Sequence, residues 1–535
     1  MEWNKNYRRF ITISLCCWAA ALTGCRVGPD YCGPPTAPVP CTYTQTNKIV
    51  PEVPVPVEET PINCVELSYW WQNLGDPTLD QLIRQASSQN LSLKEAALRI
   101  CESRAKLGTV RSSLFPQVDS DASYYYQKRS DASGGIAGGG GIVDLTSQLW
   151  SWGLNLSWEI DVFGRLKRLV EAADADIGAD VELYRNTLII LLADVAQNYV
   201  NARAYQQRMC VVQENIRAQQ RTLDITEAKF RAEKVSDLDT SQARANLMSS
   251  KAEMPNLELG YRQAVNRLSV LLGAPIGEVD ALMKDIRPIP HAPQRVTTGI
   301  PAELLRRRPD IRQAERKVAA QTARIGAAVG DLYPMFSLTG TFGLDARNFS
   351  QIFRSDSLNA GVGPSMRWNI LNFGRYTCNI EAQKFLQQEL IAGYQNTVLN
   401  AAEEVDNSLA GYLREQERYA YLNQTVASYR RAVQVAQTRY EQGTTDFQRV
   451  LDSQRSLLTY QNQLVQSEAN VANYVILLYK ALGGGWQMPV QEAPQMAPMP
   501  AVGPQGNVPR VEIVPVPQPL PPQLPPQPLP PQPPP

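Results

Sequence analysis

The chain has 535 residues, 52 Lys+Arg against 52 Asp+Glu, and a single histidine. Balanced charge without a basic stripe excludes a phosphate-driven nucleic-acid partner, and one imidazole excludes a His-His metal site. No nucleophile, metal or cofactor constellation is visible, so no catalytic residue, no metal ligand and no cofactor is expected, and an enzyme is not.

At the N-terminus, Lys5, Arg8 and Arg9 precede an apolar run from Phe10 to Leu22 that ends in Leu22-Thr23-Gly24-Cys25. The run is too short to cross about 30 Å of hydrocarbon as a helix and has the plan of a signal peptide over 1–24. Its ending resembles a bacterial lipobox, which implies cleavage before Cys25 and acylation of that cysteine; Arg26 in place of Asp at the next position favours outer-membrane retention. No later run of 18 apolar residues exists, and the best candidate, 187–193, is stopped by Asp194. Cys16 and Cys17 leave with the signal, and Cys32, Cys41, Cys64, Cys101, Cys210 and Cys378 show no CxxC spacing. A disulfide among Cys32, Cys41 and Cys64 is compatible with an oxidising periplasm.

Prolines mark the organisation. Of 39, nine lie in 26–61 and nineteen in 487–535, while 365–485 has none. Such a gap asks for long helices. Continuing along the chain, helical periodicity covers 78–113, strands are expected at 117–127 and 150–162, and a long helix covers 165–231. A helix over 237–273 follows, with Pro255 predicting a kink. After a linker carrying His291 in a proline-punctuated loop, the order repeats: helix 301–331, strands 335–345 and 358–370, long helix 375–441 and helix 445–483. The loop 133–141, rich in glycine but without a following Gly-Lys-Ser/Thr, reads as an exposed connection and not a phosphate cradle.

The repetition is literal. Trp158-Glu-Ile-Asp-Val-Phe-Gly-Arg165 and Trp368-Asn-Ile-Leu-Asn-Phe-Gly-Arg375 share five of eight residues at an offset of 210, and Leu114-Phe115-Pro116 matches Leu332-Tyr333-Pro334 at an offset of 218. The chain is a tandem duplication. In each copy an apolar seam averaging 3.5 residues runs along the long helix, from Val181 to Phe230 and from Ile391 to Tyr440. Helices of about 66 residues are about 100 Å long at 1.5 Å per residue. The flanking segments are about half that length, so two of them stacked end to end would match one long helix.

Between its helices each copy switches to a period of two. Trp150, Trp152, Leu154, Leu156 and Trp158 alternate with polar residues or glycine, as do Leu358, Val362, Met366 and Trp368. These nine are the expected membrane-facing residues of a transmembrane β-barrel; an ordinary hairpin pair on a soluble sheet is the other reading. Four strands cannot close a barrel and lipid tolerates no open edge, so several protomers must contribute. Eight strands leave an interior filled by side chains, whereas twelve leave room for water, and a conduit therefore favours a homotrimer. The fold class expected is mainly α with a membrane β-barrel portion.

Taken together, Cys25-Arg-Val-Gly-Pro-Asp-Tyr31, Trp70-Trp71, Gly75-Asp76-Pro77, the two Phe-Gly-Arg segments, Gly299 to Glu315, Gly443 and Val450 to Arg455 resemble an outer membrane factor of the TolC type, in the lipidated NodT-like branch that serves RND efflux pumps. The division that follows is a signal peptide 1–24, an N-terminal extension and equatorial segment 25–77, a first efflux repeat 78–273 with its hairpin 117–162, a linker 274–300, a second repeat 301–485 with its hairpin 335–370, and a Pro-rich tail 486–535. The resemblance implies a trimer with a twelve-stranded barrel in the outer membrane and a twelve-helix tunnel across the periplasm. It also implies a periplasmic adaptor protein and an inner-membrane RND pump as partners, with small molecules leaving through the duct. By the same resemblance the helix tips form the periplasmic aperture, with Asp452 and Arg455 on motif positions and Asp446, Asp237 and Asp239 as the other acidic tip residues. By charge pattern alone these are solvated helix-end charges. Copy one has Glu233 where copy two has Gly443, which leaves the geometry of its turn open. Type I protein secretion and a coiled-coil tether without flow are the competing readings. The tail, with its Pro-Pro-Gln repeats, reads as polyproline II or a disordered linker.

Overall fold

The computed structural model describes residues 26–37, 57–58, 67–128, 146–292, 296–297 and 307–487. Cys25, Cys41, Cys64, the glycine loop 133–141 and the Pro-rich tail lie outside the described residues. The helices are α1 Pro77–Gln89, α2 Leu91–Ser112, α3 Arg165–Arg231, α4 Asp237–Leu272, α5 Asp280–Met283, α6 Pro309–Gly330, α7 Arg375–Glu441 and α8 Phe447–Ala481. Strands β1 Val57–Glu58 and β4 Val296–Thr297 form a short parallel pair, while β2 Gln117–Lys128, β3 Thr146–Ile160, β5 Met335–Ala346 and β6 Leu358–Arg367 form an antiparallel sheet in the order β2-β3-β5-β6. No helix among the described residues is long and apolar enough to cross a membrane.

The two long helices, α3 and α7, have 67 residues each. Both start after a left-handed glycine, Gly164 or Gly374. Ahead of α3, Asp161 accepts from the Leu166 and Lys167 amides at 3.1 and 2.9 Å, satisfying two donors that the first turn leaves open. The seams point inward as their period requires. Leu188, Leu192, Val195, Tyr199 and Val212 are buried in α3, and Tyr394, Val398, Val405, Leu409 and Tyr412 in α7.

The helix expected over 78–113 is two helices. Asn90 takes an extended conformation between them, accepts from the Leu93 amide at 2.8 Å to cap α2, and donates to the Leu271 carbonyl at the end of α4 at 2.8 Å. In the second copy Arg308 stands at the equivalent position, before α6, and donates to the Ala481 carbonyl at the end of α8 at 3.0 Å. Arg308 is itself held by Asp310 at 2.6 Å and Glu404 at 2.7 Å. The half-length helices therefore join end to end, α4 with α2 and α8 with α6, and α3 packs between the two composite struts. Helix α6 begins at Pro309, where a proline's missing N–H costs nothing, and residues 301–306 of the expected helix lie outside the described residues. Through Pro255 α4 runs on, the Lys251 carbonyl losing only its usual donor.

The largest core lies where the struts join. Trp70 stacks on Tyr479 at 5.4 Å and meets Trp71 edge-on at 5.9 Å. Asp76 caps α1 through the Thr78 amide at 2.8 Å and accepts from the Tyr199 hydroxyl at 2.5 Å, while Arg203, fully buried, donates to that hydroxyl at 3.0 Å. Burial first, then Asp76, pushes the Tyr199 phenol up to about 12. Replacing Asn90 with alanine removes a cap and strands a carbonyl. Denaturant unfolding in detergent should show a loss of about 2 kcal/mol; an unchanged midpoint would count against the joint.

Candidate functional site

The sheet separates polar from apolar side chains completely enough to define two surfaces. Register pairs Leu156 with Val118 and Gly340, Leu154 with Phe342, Trp152 with Ala122 and Leu344, and β5 with Val362 and Met366 through Gly340 and Phe336. Paired residues share a face, so the expected membrane-facing set lies on one side with Val118, Phe336, Leu338, Phe342 and Leu344. Asp119, Asp121, Ser123, Asn155, Ser157, Thr339, Thr341, Asn359, Ser365 and Arg367 occupy the other. The apolar side is bare: Val362 is 74% and Met366 61% exposed.

Aromatic residues bracket this surface. At one end Tyr124 lies 4.3 Å from Trp150, which meets Phe349 at 5.1 Å. At the helix end, the Trp158 indole donates to the Leu114 carbonyl at 3.0 Å, and its repeat counterpart Trp368 donates to Leu332 at 3.1 Å. Trp368 sits one residue beyond β6, which ends at Arg367 and not at the expected 370, where the chain turns toward α7. From Trp150 to Trp158 the strand runs about 26 Å along its own axis at 3.3 Å per residue, about the length that a tilted transmembrane strand needs.

Beside the helix end of the sheet runs the segment that follows Cys25. The Val27 amide donates to the Phe163 carbonyl at 3.2 Å, and Arg26 reaches Glu171 at 2.6 Å. Arg168, only 1% exposed, donates to the Val27 carbonyl at 3.2 Å, to Asp30 at 2.6 Å and to Glu171 at 2.9 Å. Gly28 crosses α6 so closely that an added Cβ would stand 2.4 Å from the Gly326 Cα, and Tyr31 donates to Glu315 at 3.1 Å. Arg26 is thus held at the junction of sheet and helices.

The far helix tips carry the five predicted aperture residues. Asp237 opens α4 and accepts from the Thr240 hydroxyl at 3.0 Å; Asp239, two residues on, is half-buried. Asp446 precedes α8 with no side-chain cap bond. Asp452 and Arg455 are brought to the same tip but not to each other. Asp452 accepts from Gln448 at 2.9 Å, whereas Arg455 turns to the neighbouring helix and donates to buried Asn246 at 3.1 Å. A tie unseen in the sequence joins the two copies here: Lys229 donates to the Tyr440 carbonyl and lies 3.9 Å from the centre of its ring. Beneath it Leu223, Leu247, Phe447, Val450 and Leu451 form a core of their own. Lys229 and Asn246 had no local signal, because their partners lie on the other repeat.

The comparisons agree with this geometry. The sequence model described as outer membrane efflux protein matches residues 82–274 and 300–484. The chain belongs to that family. It is 30% identical over 477 residues to nodulation protein T of Rhizobium leguminosarum bv. viciae, covering 89% of this chain and 94% of that one. Cation efflux system protein CusC of Escherichia coli O6:H1 (strain CFT073) is 30% identical over 481 residues, covering 88% and 98%. Among solved structures, the outer-membrane channel OprN matches with a TM-score of 0.77 and 34% identity, over 86% of this chain and all of that one. This efflux protein is therefore an outer membrane channel with the fold of a helical barrel continued by a β-barrel.

The two tips also answer the question of turn geometry. Lys234 donates to Lys229 at 2.9 Å and Glu233 to Phe230 at 2.8 Å; in copy two Thr444 donates to Arg439 at 2.9 Å and Gly443 to Tyr440 at 3.1 Å. Both are Schellman caps. Glu233 is left-handed at φ 56°, beside Gly443 at φ 75°, so the turn is the same despite the different residue. Glu233→Gly should raise unfolding stability by about 1 kcal/mol, and Gly443→Glu should lower it by a similar amount. Paired thermal melts check both signs.

Proposed function

We propose that three copies of this chain form a passive duct, the outer membrane component of a tripartite RND-type efflux pump. Three four-stranded sheets make a twelve-stranded barrel, wide enough for water, and the struts with α3 and α7 continue it as a tunnel through the periplasm. The observation that carries this reading is the sheet itself: a bare apolar face about 26 Å long along its strands, a polar opposite face, and two edges without a strand partner among the described residues.

Acylation of Cys25 fits the reading, since Arg26 is tied beside the sheet end of α3. Trp150, Trp152, Leu154, Leu156, Trp158, Leu358, Val362, Met366 and Trp368 then face lipid. Asp237, Asp239, Asp446 and Asp452 ring the periplasmic aperture in threefold repetition, drawing cations toward a narrow axis. The Lys229–Tyr440 and Arg455–Asn246 ties hold its helices together. A periplasmic adaptor docks at this end and an inner-membrane pump supplies substrates, which are small molecules such as drugs, toxic compounds or metal ions. No chemistry on the cargo is needed in this subunit.

Planar-bilayer recording tests the duct. The purified protein should insert as a low-conductance, cation-preferring channel, and Lys229→Ala with Arg455→Ala should raise its conductance by releasing both ties. Asp452→Asn should reduce the preference for cations. Silent bilayers for both the parent protein and the double variant would sink the reading.

A further inference from the structure

The duplication specifies how one copy of the chain meets the next. The two hairpins have the same register: Gln117 pairs with Ser157 and Met335 with Arg367, which are repeat counterparts at offsets of 218 and 210. The junction between the repeats, β3 with β5, is therefore a template for the junction between protomers, β6 with β2 of the neighbour. Resting on the trimeric duct, we infer that protomers join by the register that the inner junction dictates, with Ser365 opposite Ser123, Arg367 opposite Asp121 and Met366 opposite Ala122 of the adjacent copy.

Each pair follows from an observed one. Asn155–Thr341 gives Ser365–Ser123, Ser157–Thr339 gives Arg367–Asp121, and Leu156–Gly340 gives Met366–Ala122. The faces then agree across the seam: Met366, Pro364 and Val362 meet Ala122, Tyr124 and Tyr126, while Arg367 and Ser365 meet Asp121 and Ser123. A one-residue slip would turn every pair to the wrong face. The polar face also gains an ion pair between exposed Arg367 and Asp121.

A slip of two residues preserves the faces, and Asp119 would replace Asp121 beside Arg367, so charge does not decide between them. Stagger does. Within the protomer, Gln117 reaches Thr339 two strands on, four residues beyond its counterpart Met335. The inferred register repeats that four-residue step at every junction of the ring; the slipped register would alternate steps of four and two around it.

A second contact points the same way. Phe163 stacks on Tyr333 at 4.6 Å across the inner junction. Their counterparts are Phe373 and Phe115, which are 93% and 66% exposed and so positioned to complete that stack between copies. At Gly363, opposite Tyr125 of the neighbour in this register, an added Cβ would meet nothing within 4 Å, leaving space for the ring.

Cysteine cross-linking of the full-length protein tests the register. Ser123→Cys with Ser365→Cys should oxidise to covalent dimers and trimers on a non-reducing gel, with neither single variant doing so, because directly opposed Cα atoms fall within disulfide reach. Asp121→Cys with Ser365→Cys reports the two-residue slip and should give far less product. The reverse ranking overturns the register, and so does a trimer by light scattering that cross-links through neither pair. A monomer by light scattering would overturn the duct reading together with it.

Discussion

Lipid offers no hydrogen bonds to a bare strand edge, and the rest of the molecule is arranged around that constraint. The sheet has one apolar face, one polar face and two edge strands, β2 and β6, so it is incomplete in a membrane as a single copy. Closure by identical copies satisfies the edges and turns the polar face into a lumen. Under the same constraint the helices become extensions of the strands: β3 leads into α3 through Asp161 and Gly164, and β6 leads into α7 through Gly374.

Duplication makes this closure economical in sequence. The same hairpin register, the same indole bond to a loop carbonyl and the same end-to-end helix joint occur in each copy. Residue types differ where geometry permits several solutions, as with Asn90 and Arg308, which reach the Leu271 and Ala481 carbonyls with different side chains. The copies diverge at two ends. The segment after Cys25 is clamped along the inner junction by Arg168, at a position that is Cys378 in copy two. At the tips, Arg455 and Lys229 reach from one copy to the other, making contacts that neither repeat has alone.

Much of this was legible because it is periodic. A proline-free stretch and a heptad seam mark α7 end to end, and strand alternation marks the apolar face of the sheet. Breaks determined by tertiary contacts were less visible. Nothing local in 78–113 distinguishes Asn90 from any other helical asparagine; its role depends on a carbonyl 181 residues away. Asp452 and Arg455, three residues apart on α8, do not pair because Arg455 faces α4, where buried Asn246 offers an acceptor. The start of α6 was readable in retrospect from Pro309, a residue suited to a first turn. Glu233 shows the converse: a glutamate at that position left the turn geometry open, and the cap's two hydrogen bonds impose a left-handed one.

The central claim is that three chains surround one open lumen. Electron cryo-microscopy of the detergent-purified, full-length protein, viewed down the long axis, addresses it directly. The account predicts threefold symmetry with a continuous twelve-stranded wall around a water-filled centre. A twofold assembly with eight strands and a filled interior, or a single chain with its sheet edges uncovered, would contradict it.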